Sequence, residues 1–312
     1  MNFAQLEYII AVDNYRQFST AAGKCFVTQA TLSMMVKKLE QELGVQIFDR
    51  SRQPVKPTRE GEQVITRARK VLAEANSLKA YAKDLSGEIS GELHLGIIPT
   101  LAPYLLPLFL KSFTRRFPAL DVYIKELVTD EIILKLKTGE VDIGILATPL
   151  NESMITEHPL FYEEFFAYAS KHEKLSRKKY LLPKEIYPDS LWLLEEGHCL
   201  RNQVFNLCEL KNGDTAANGL HYQAGSIETL INLVDKSDGS TREPYLATQM
   251  LKPGQKKNLR EFAKPKPVRE ISLATGKNFP RKKLLEHLKD HIRQVIPQPM
   301  LSPERFKITS IT

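Results

Sequence analysis

Residues 18–50, FSTAAGKCFVTQATLSMMVKKLEQELGVQIFDR, decide the reading of this chain. Ala21, Ala22 and Gly23 are small and adjacent, which suits a close crossing of two helices. Phe26-Val27-Thr28 reads as a tight turn. Beyond it Leu32, Met35, Val36, Leu39 and Leu43 return every three or four residues, and Gly44 stops the run. Upstream, Phe3, Leu6, Ile9 and Ile10 lay an apolar stripe on an earlier helix. Three short helices with this turn describe a helix-turn-helix, the third helix being the one placed to read a DNA groove. Downstream, IFDRSRQPVKPT contains Pro54 and Pro57, which forbid a continuing helix. It reads as an extended wing carrying Arg50, Arg52 and Lys56.

Residues 58–86 form one long helical pattern, with Val64, Ala68, Val71, Ala75, Leu78, Ala82 and Leu85 on one stripe. A helix of about 28 residues spans about 42 Å. A stripe of that length needs a partner, and a second copy of itself is the simplest. The run ends at LSGEISGE, a hinge-like linker. From residue 91 the texture changes. ELHLGII, LDVYIKEL and VDIGIL read as strands, separated by helical YLLPLFLKSFTRRF, with Pro107 near its start, and TDEIILKLKTG. Such alternation predicts a parallel sheet with covering helices. EEFFAYAS, helical SIETLINLV and an amphipathic RKKLLEHLKDHIRQVI follow.

The expected fold class is α/β overall. A winged helix-turn-helix covers 1–58, a linker and dimerisation helix 59–87, and a regulatory domain 88–312. The regulatory domain is large enough for two subdomains joined by crossing strands, about 88–163 with 267–300 and about 164–266. A cleft between them is the default small-molecule site.

Composition narrows the function classes. Apolar residues make 42% of the chain and charged residues 26%, the mix of a folded globular protein. The start, MNFAQLEYIIAVDN, has no basic segment before an apolar run, and no stretch is apolar enough to span a bilayer. A cytoplasmic protein without a membrane partner is expected. Net charge is +7, but residues 251–300 hold 13 Lys and Arg against 4 Asp and Glu, while the first 90 hold 13 against 10. A claim of DNA binding therefore rests on the N-terminal pattern, not on charge. No Gly-rich phosphate loop appears. His287 and His291 share a helix face, yet no Cys or carboxylate completes a metal site, so neither metal nor cofactor is expected.

Thr28, Gln29, Thr31 and Ser33 crowd the start of the third helix. Gln pairs bidentately with adenine, and Thr or Ser reaches base edges or phosphates. Lys37 and Lys38 lie further along, towards the backbone, and Arg50 and Arg52 reach phosphate or the minor groove. Thr28 also suits a plain N-cap. The residues Phe18-Ser19-x-Ala21-Ala22, Val27-Thr28-Gln29-Ala30-Thr31-Leu32-Ser33 and Leu39-Glu40-x-x-Leu43-Gly44-x-x-Ile47-Phe48-x-Arg50, with Thr58 and Gly61, resemble the LysR-type transcriptional regulators. Ala30 stands where proline is common in them. The resemblance implies a periplasmic-binding-protein-like regulatory domain and a homodimer or homotetramer on double-stranded promoter DNA, in contact with RNA polymerase.

Three cysteines, Cys25, Cys199 and Cys208, make no disulfide framework. Cys25 reads as core packing. Cys199 lies in EEGHCLRNQ with His198 and Arg201 as chain neighbours, and positive charge favours a thiolate. Glu195 and Glu196 oppose this if they point inward. Cys208, between Leu207 and Glu209, has an apolar and acidic setting. Read from the residues alone, the two are a thiol switch or two buried apolar cysteines. If a helix occupies 200–207, a bond between them must break or bend it.

Gly197-His198-Cys199-Leu200-Arg201, with a second cysteine nine residues after the first, is similar to the signature of the peroxide-sensing members of the same family. That implies hydrogen peroxide as the signal, oxidation of Cys199 and a Cys199–Cys208 disulfide reversed by a cellular thiol reductant. It further implies control of peroxide-defence genes such as catalase, and hydroxyls at Thr100 and Thr129 beside the reactive thiol. Thr129 equally suits a helix N-cap. Alternatives are a LysR-type regulator answering a small metabolite in the cleft, a thiol peroxidase, and a structural nucleoid protein. KSDGSTREPYLA departs from the glycine-rich apolar run usual in the family, and Arg242 and Glu243 are expected to pair or to lie on an exposed loop.

Overall fold

Asn2 caps the first helix, α1 (Phe3–Tyr15), by accepting the Gln5 N–H while the Gln5 side chain accepts the Asn2 N–H. The computed structural model describes residues 1–85, 89–185, 191–208, 224–302 and 306–308. They divide into two units, Met1–Leu85 with Thr138–Glu140, and Ser86–Lys137 with Val141–Thr312.

In the first unit α2 (Phe18–Lys24) and α3 (Gln29–Leu43) follow α1, and β1 (Phe48–Asp49) pairs antiparallel with β2 (Lys56–Pro57) as the wing. Phe26 turns the chain with φ +55, and Gly44 ends α3 with φ +67, where a side chain is strained. The long helix α4 (Arg59–Leu85) has 27 residues. Leu6, Ile9, Val12, Leu32, Val36, Leu39, Ile47 and Phe48 are buried together with Ile65 and Ala68 of α4, so the start of the long helix belongs to this core. Cys25 packs half-buried against it. A Cβ on Gly61 would sit 2.0 Å from the Ile47 carbonyl oxygen, which makes glycine necessary there. Thr58 donates to the Gln46 carbonyl and accepts the Gly61 N–H, joining wing and long helix.

The second unit runs β3 (Gly91–Ile97), α5 (Ala102–Arg116), β4 (Leu120–Glu126), α6 (Thr129–Thr138), β5 (Ile143–Thr148), β6 (Ile155–Ala169), β7 (Tyr180–Leu181), α7 (Cys199–Cys208) and α8 (Ile227–Lys236). It continues with β8 (Ser240–Pro244), α9 (Tyr245–Gln249), α10 (Pro253–Lys256), β9 (Leu259–Phe262), β10 (Lys266–Gly276), α11 (Lys282–Val295) and β11 (Phe306–Ile308). The sheet order is β4-β3-β5-β10-β6-β9-β7, with β11 on β10 and β8 on β6. As the alternation predicts, β3 is parallel to β4 and β5. Beyond them β10 is antiparallel to both β5 and β6, because it enters the sheet from a later segment running the other way. Strand β6 pairs β10 up to Glu164, then β8 from Phe165. Among the described residues no helix is long and apolar enough to cross a membrane.

Two local expectations change. Pro107 lies inside α5, in its second turn, because the helix already begins at Ala102. Residues 240–244 are neither an exposed loop nor an Arg242–Glu243 ion pair: they form β8, hydrogen-bonded to β6 and buried throughout. Successive residues of a strand face opposite sides, so the two charges diverge. Residues 86–88 of the expected hinge LSGEISGE, and Glu209, lie outside the described residues.

Candidate thiol site and DNA-reading face

Gly197, with φ +93, turns the chain into α7, whose first residue is Cys199 and whose last is Cys208. Both thiols are buried. Nine helical steps separate them by about 13.5 Å along the axis. Disulfide-bonded Cα atoms lie about 4.4–6.8 Å apart, so α7 cannot survive the bond intact.

Burial pushes the Cys199 thiol up. The charge of Arg269, the Thr129 hydroxyl and the backbone at Ala147 and Leu200 pull against it. Thr129 is the first residue of α6 and buried. Its Oγ1 lies by the Cys199 sulfur, within side-chain hydrogen-bond range, and among the described residues it takes no backbone N–H, so it makes no N-cap. Arg269 is fully buried. Its guanidinium meets Glu163 Oε2 at 2.8 Å, donates from Nη1 to Thr100 Oγ1 at 3.1 Å and from Nη2 to the Thr100 carbonyl at 3.2 Å. Glu163 also accepts the Leu246 N–H at 2.7 Å. Thr100 therefore orients the arginine that faces the thiol.

His198 is buried, 3.5 Å from Glu195 Oε1, while Glu195 and Glu196 are exposed. Arg201 turns away from Cys199. It donates to the Leu194 carbonyl at 2.8 Å and stands over the Phe205 ring. At the other end, burial pushes the Cys208 thiol up while the adjacent Arg242 opposes this.

On the first unit Thr28 accepts the Thr31 N–H at 3.1 Å, so it is the N-cap of α3. Gln29, Lys37, Lys38 and Arg52 are exposed, and Thr31 and Ser33 are half-buried. Arg50 crosses from wing to helix. It donates to Ser33 Oγ at 3.2 Å, pairs with Glu40 at 2.9 Å and lies over the Phe18 ring. Glu40 also accepts the N–H groups of Ile47 and Phe48. Arg52 pairs with Asp49 at 3.0 Å.

The model of the bacterial regulatory helix-turn-helix protein, lysR family, matches residues 3–62, and that of the LysR substrate binding domain matches residues 86–297. The chain belongs to the LysR family. The "Hydrogen peroxide-inducible genes activator" of Haemophilus influenzae is 34% identical over 290 residues, 92% of this chain and 95% of that one. The "DNA-binding transcriptional dual regulator OxyR" of Escherichia coli K12 is 34% identical over 296 residues, 94% of this chain and 95% of the other. A solved full-length OxyR cysteine mutant of Pseudomonas aeruginosa superposes with a TM-score of 0.75 at 33% identity, covering 94% of this chain and 98% of that one.

Within this LysR protein the fold brings Cys199, Thr129, Thr100 and Arg269 together and turns Arg201 aside. Sequence reasoning missed Arg269 and Glu163, and read Arg242 only as a partner of Glu243 or as part of an exposed loop. The single signal for Arg269 is one cation inside the apolar strand pattern of KPVREISLA, and a strand pattern says nothing of what that cation faces.

Proposed function

We propose that this chain is a LysR-family transcriptional regulator that senses hydrogen peroxide through Cys199 and Cys208. The observation that carries the reading is a buried thiol beside a cation and a threonine hydroxyl, at one end of a helix whose other end is a second thiol. Arg269 favours the thiolate of Cys199. The thiolate attacks one peroxide oxygen, held by the Thr129 hydroxyl. The O–O bond breaks, the leaving hydroxide takes a proton to become water, and Cys199 becomes a sulfenic acid. Cys208 then attacks that sulfur, releasing a second water and forming the disulfide. Because α7 must open, one oxidation per subunit becomes a change of shape. The event is stoichiometric signalling, and a cellular thiol reductant restores both thiols.

The regulator acts in the cytoplasm as a homodimer, and as a homotetramer on promoter DNA, contacting RNA polymerase. Gln29, Thr31 and Ser33 face bases, and Lys37, Lys38, Arg50 and Arg52 hold phosphates. The test is peroxide titration of the full-length chain. C199S abolishes fast peroxide consumption and the redox-dependent footprint, and C208S stops at a trappable sulfenic acid. Fast consumption by C199S overturns the assignment.

A further inference from the structure

Arg242 is 1% exposed, and its guanidinium is held on several sides. Nη1 donates to the Thr241 carbonyl at 2.8 Å, and the group lies 5.7 Å from the Phe262 ring centroid. The Cys208 thiol stands against the guanidinium in close electrostatic contact. The thiol lies within charge and side-chain hydrogen-bond range of the guanidinium, and among the described residues Nε and Nη2 have no other aligned acceptor. The backbone of Arg242 is fixed opposite Ala167 of β6.

A buried guanidinium without an anion at its open edge is among the costliest groups to fold into an interior. Among the described residues, Cys208 and Glu243 are the ionisable groups that act on Arg242, and Arg242 is the one that acts on Cys208. Glu243 leaves the strand on the other side, where Glu228 and Arg269 face it. The open edge is left to the Cys208 sulfur.

We propose that Arg242 is a positioning residue for the second thiol, holding the Cys208 sulfur and favouring its thiolate as the nucleophile that closes the disulfide. The step rests on the peroxide reading for its sulfenic acid, but the state of Cys208 does not. In that step the Cys208 sulfur attacks the Cys199 sulfur. An S–S bond forms, the S–O bond breaks, and the departing hydroxide combines with the proton given up by Cys208 as one water. Cys208 is oxidised and the sulfenic sulfur is reduced to the disulfide level. Held against Arg242, whose backbone β8 fixes, Cys208 stays in place while the Cys199 end of α7 opens towards it.

The test alkylates the reduced full-length chain with iodoacetamide across a pH series and reads Cys208 by peptide mass spectrometry. In Arg242→Leu the Cys208 midpoint moves up by about one pH unit, and the rate at neutral pH falls about tenfold. Arg242→Lys, which keeps the charge, retains most of the wild-type profile. After a peroxide pulse, dimedone traps more Cys199 sulfenic acid in Arg242→Leu, because closure is about tenfold slower. Arg242→Met reads the same quantity if the leucine variant does not fold. A purely structural arginine changes stability but not the midpoint, so an unchanged Cys208 profile overturns the proposal. If wild-type Cys199 never yields a sulfenic acid, the peroxide reading fails while the Cys208 profile still decides the role of Arg242.

Discussion

Arg269 and Glu163 form an ion pair with neither side chain exposed, Nη2 to Oε2 at 2.8 Å. The pair sets the cation that faces Cys199, and it is costly to split. Glu163→Ala leaves a stranded buried guanidinium, with an expected loss of about 3–5 kcal/mol in urea unfolding. The double variant Arg269→Met with Glu163→Leu removes both charges and costs less than either single change. Arg269→Met also slows oxidation of Cys199, because burial then acts on the thiol without its largest opposing influence. Additive losses in the double variant contradict the pairing.

Glu243 carries a pH prediction. It is fully buried, and burial followed by Glu228 pushes its carboxyl well above the usual range. Arg242, Arg269 and the Thr241 hydroxyl oppose that shift. The folded chain then keeps a proton that the unfolded chain releases above about pH 4.3. Stability therefore falls as pH rises from that value through the folded pKa. Glu243→Gln lacks this loss. It is expected to be more stable by roughly 1–3 kcal/mol at neutral pH and to converge on the wild type in acid. Parallel stability curves with no convergence refute the shift.

On the DNA face the two named side chains differ in freedom. Gln29 is exposed at the helix start, whereas Arg50 is tied to Ser33 and Glu40. Gln29→Ala is expected to lose about 1–3 kcal/mol of base discrimination with its phosphate contacts intact. Arg50→Ala is expected to weaken binding uniformly across sites and to reduce the salt dependence by about one phosphate contact. Footprints over a set of altered sites separate the two, and unchanged site preference in Gln29→Ala removes it from the reading set.

Val71 and Leu78 of α4 are 44% and 69% exposed, and Tyr81 is 48% exposed. Apolar side chains left open along one helix support its use as the subunit interface. Val71→Glu with Leu78→Glu is expected to shift sedimentation towards monomer and to weaken promoter binding together with it. An intact dimer places the interface elsewhere.

How much was legible in the sequence follows from the distance between cooperating residues. The helix-turn-helix is written within one short stretch, so its periodicity, the Thr28 cap and the Gly44 stop are readable directly. Cys199 and Cys208 are legible for the same reason, since both belong to α7. The environment of Cys199 was not. Arg269 meets Thr100 across 169 positions and Glu163 across 106, joined only when β10 enters the sheet beside β6. Arg201, adjacent in the chain, looked like the activating cation, but helical geometry turns it towards Leu194 and Phe205. Arg242 and Glu243 read as a pair or as an exposed loop because their burial comes from strand pairing with β6, which local composition does not report.

In the peroxide reading, oxidation joins the two ends of α7 and thereby changes DNA binding. Non-reducing peptide mapping of the peroxide-treated full-length chain, with promoter footprints taken on the same samples, tests it most directly. The expected result is a Cys199–Cys208 linked peptide whose yield rises in step with the footprint change and with new proteolytic cleavage between Leu200 and Leu207. A footprint that changes with no linked peptide contradicts it.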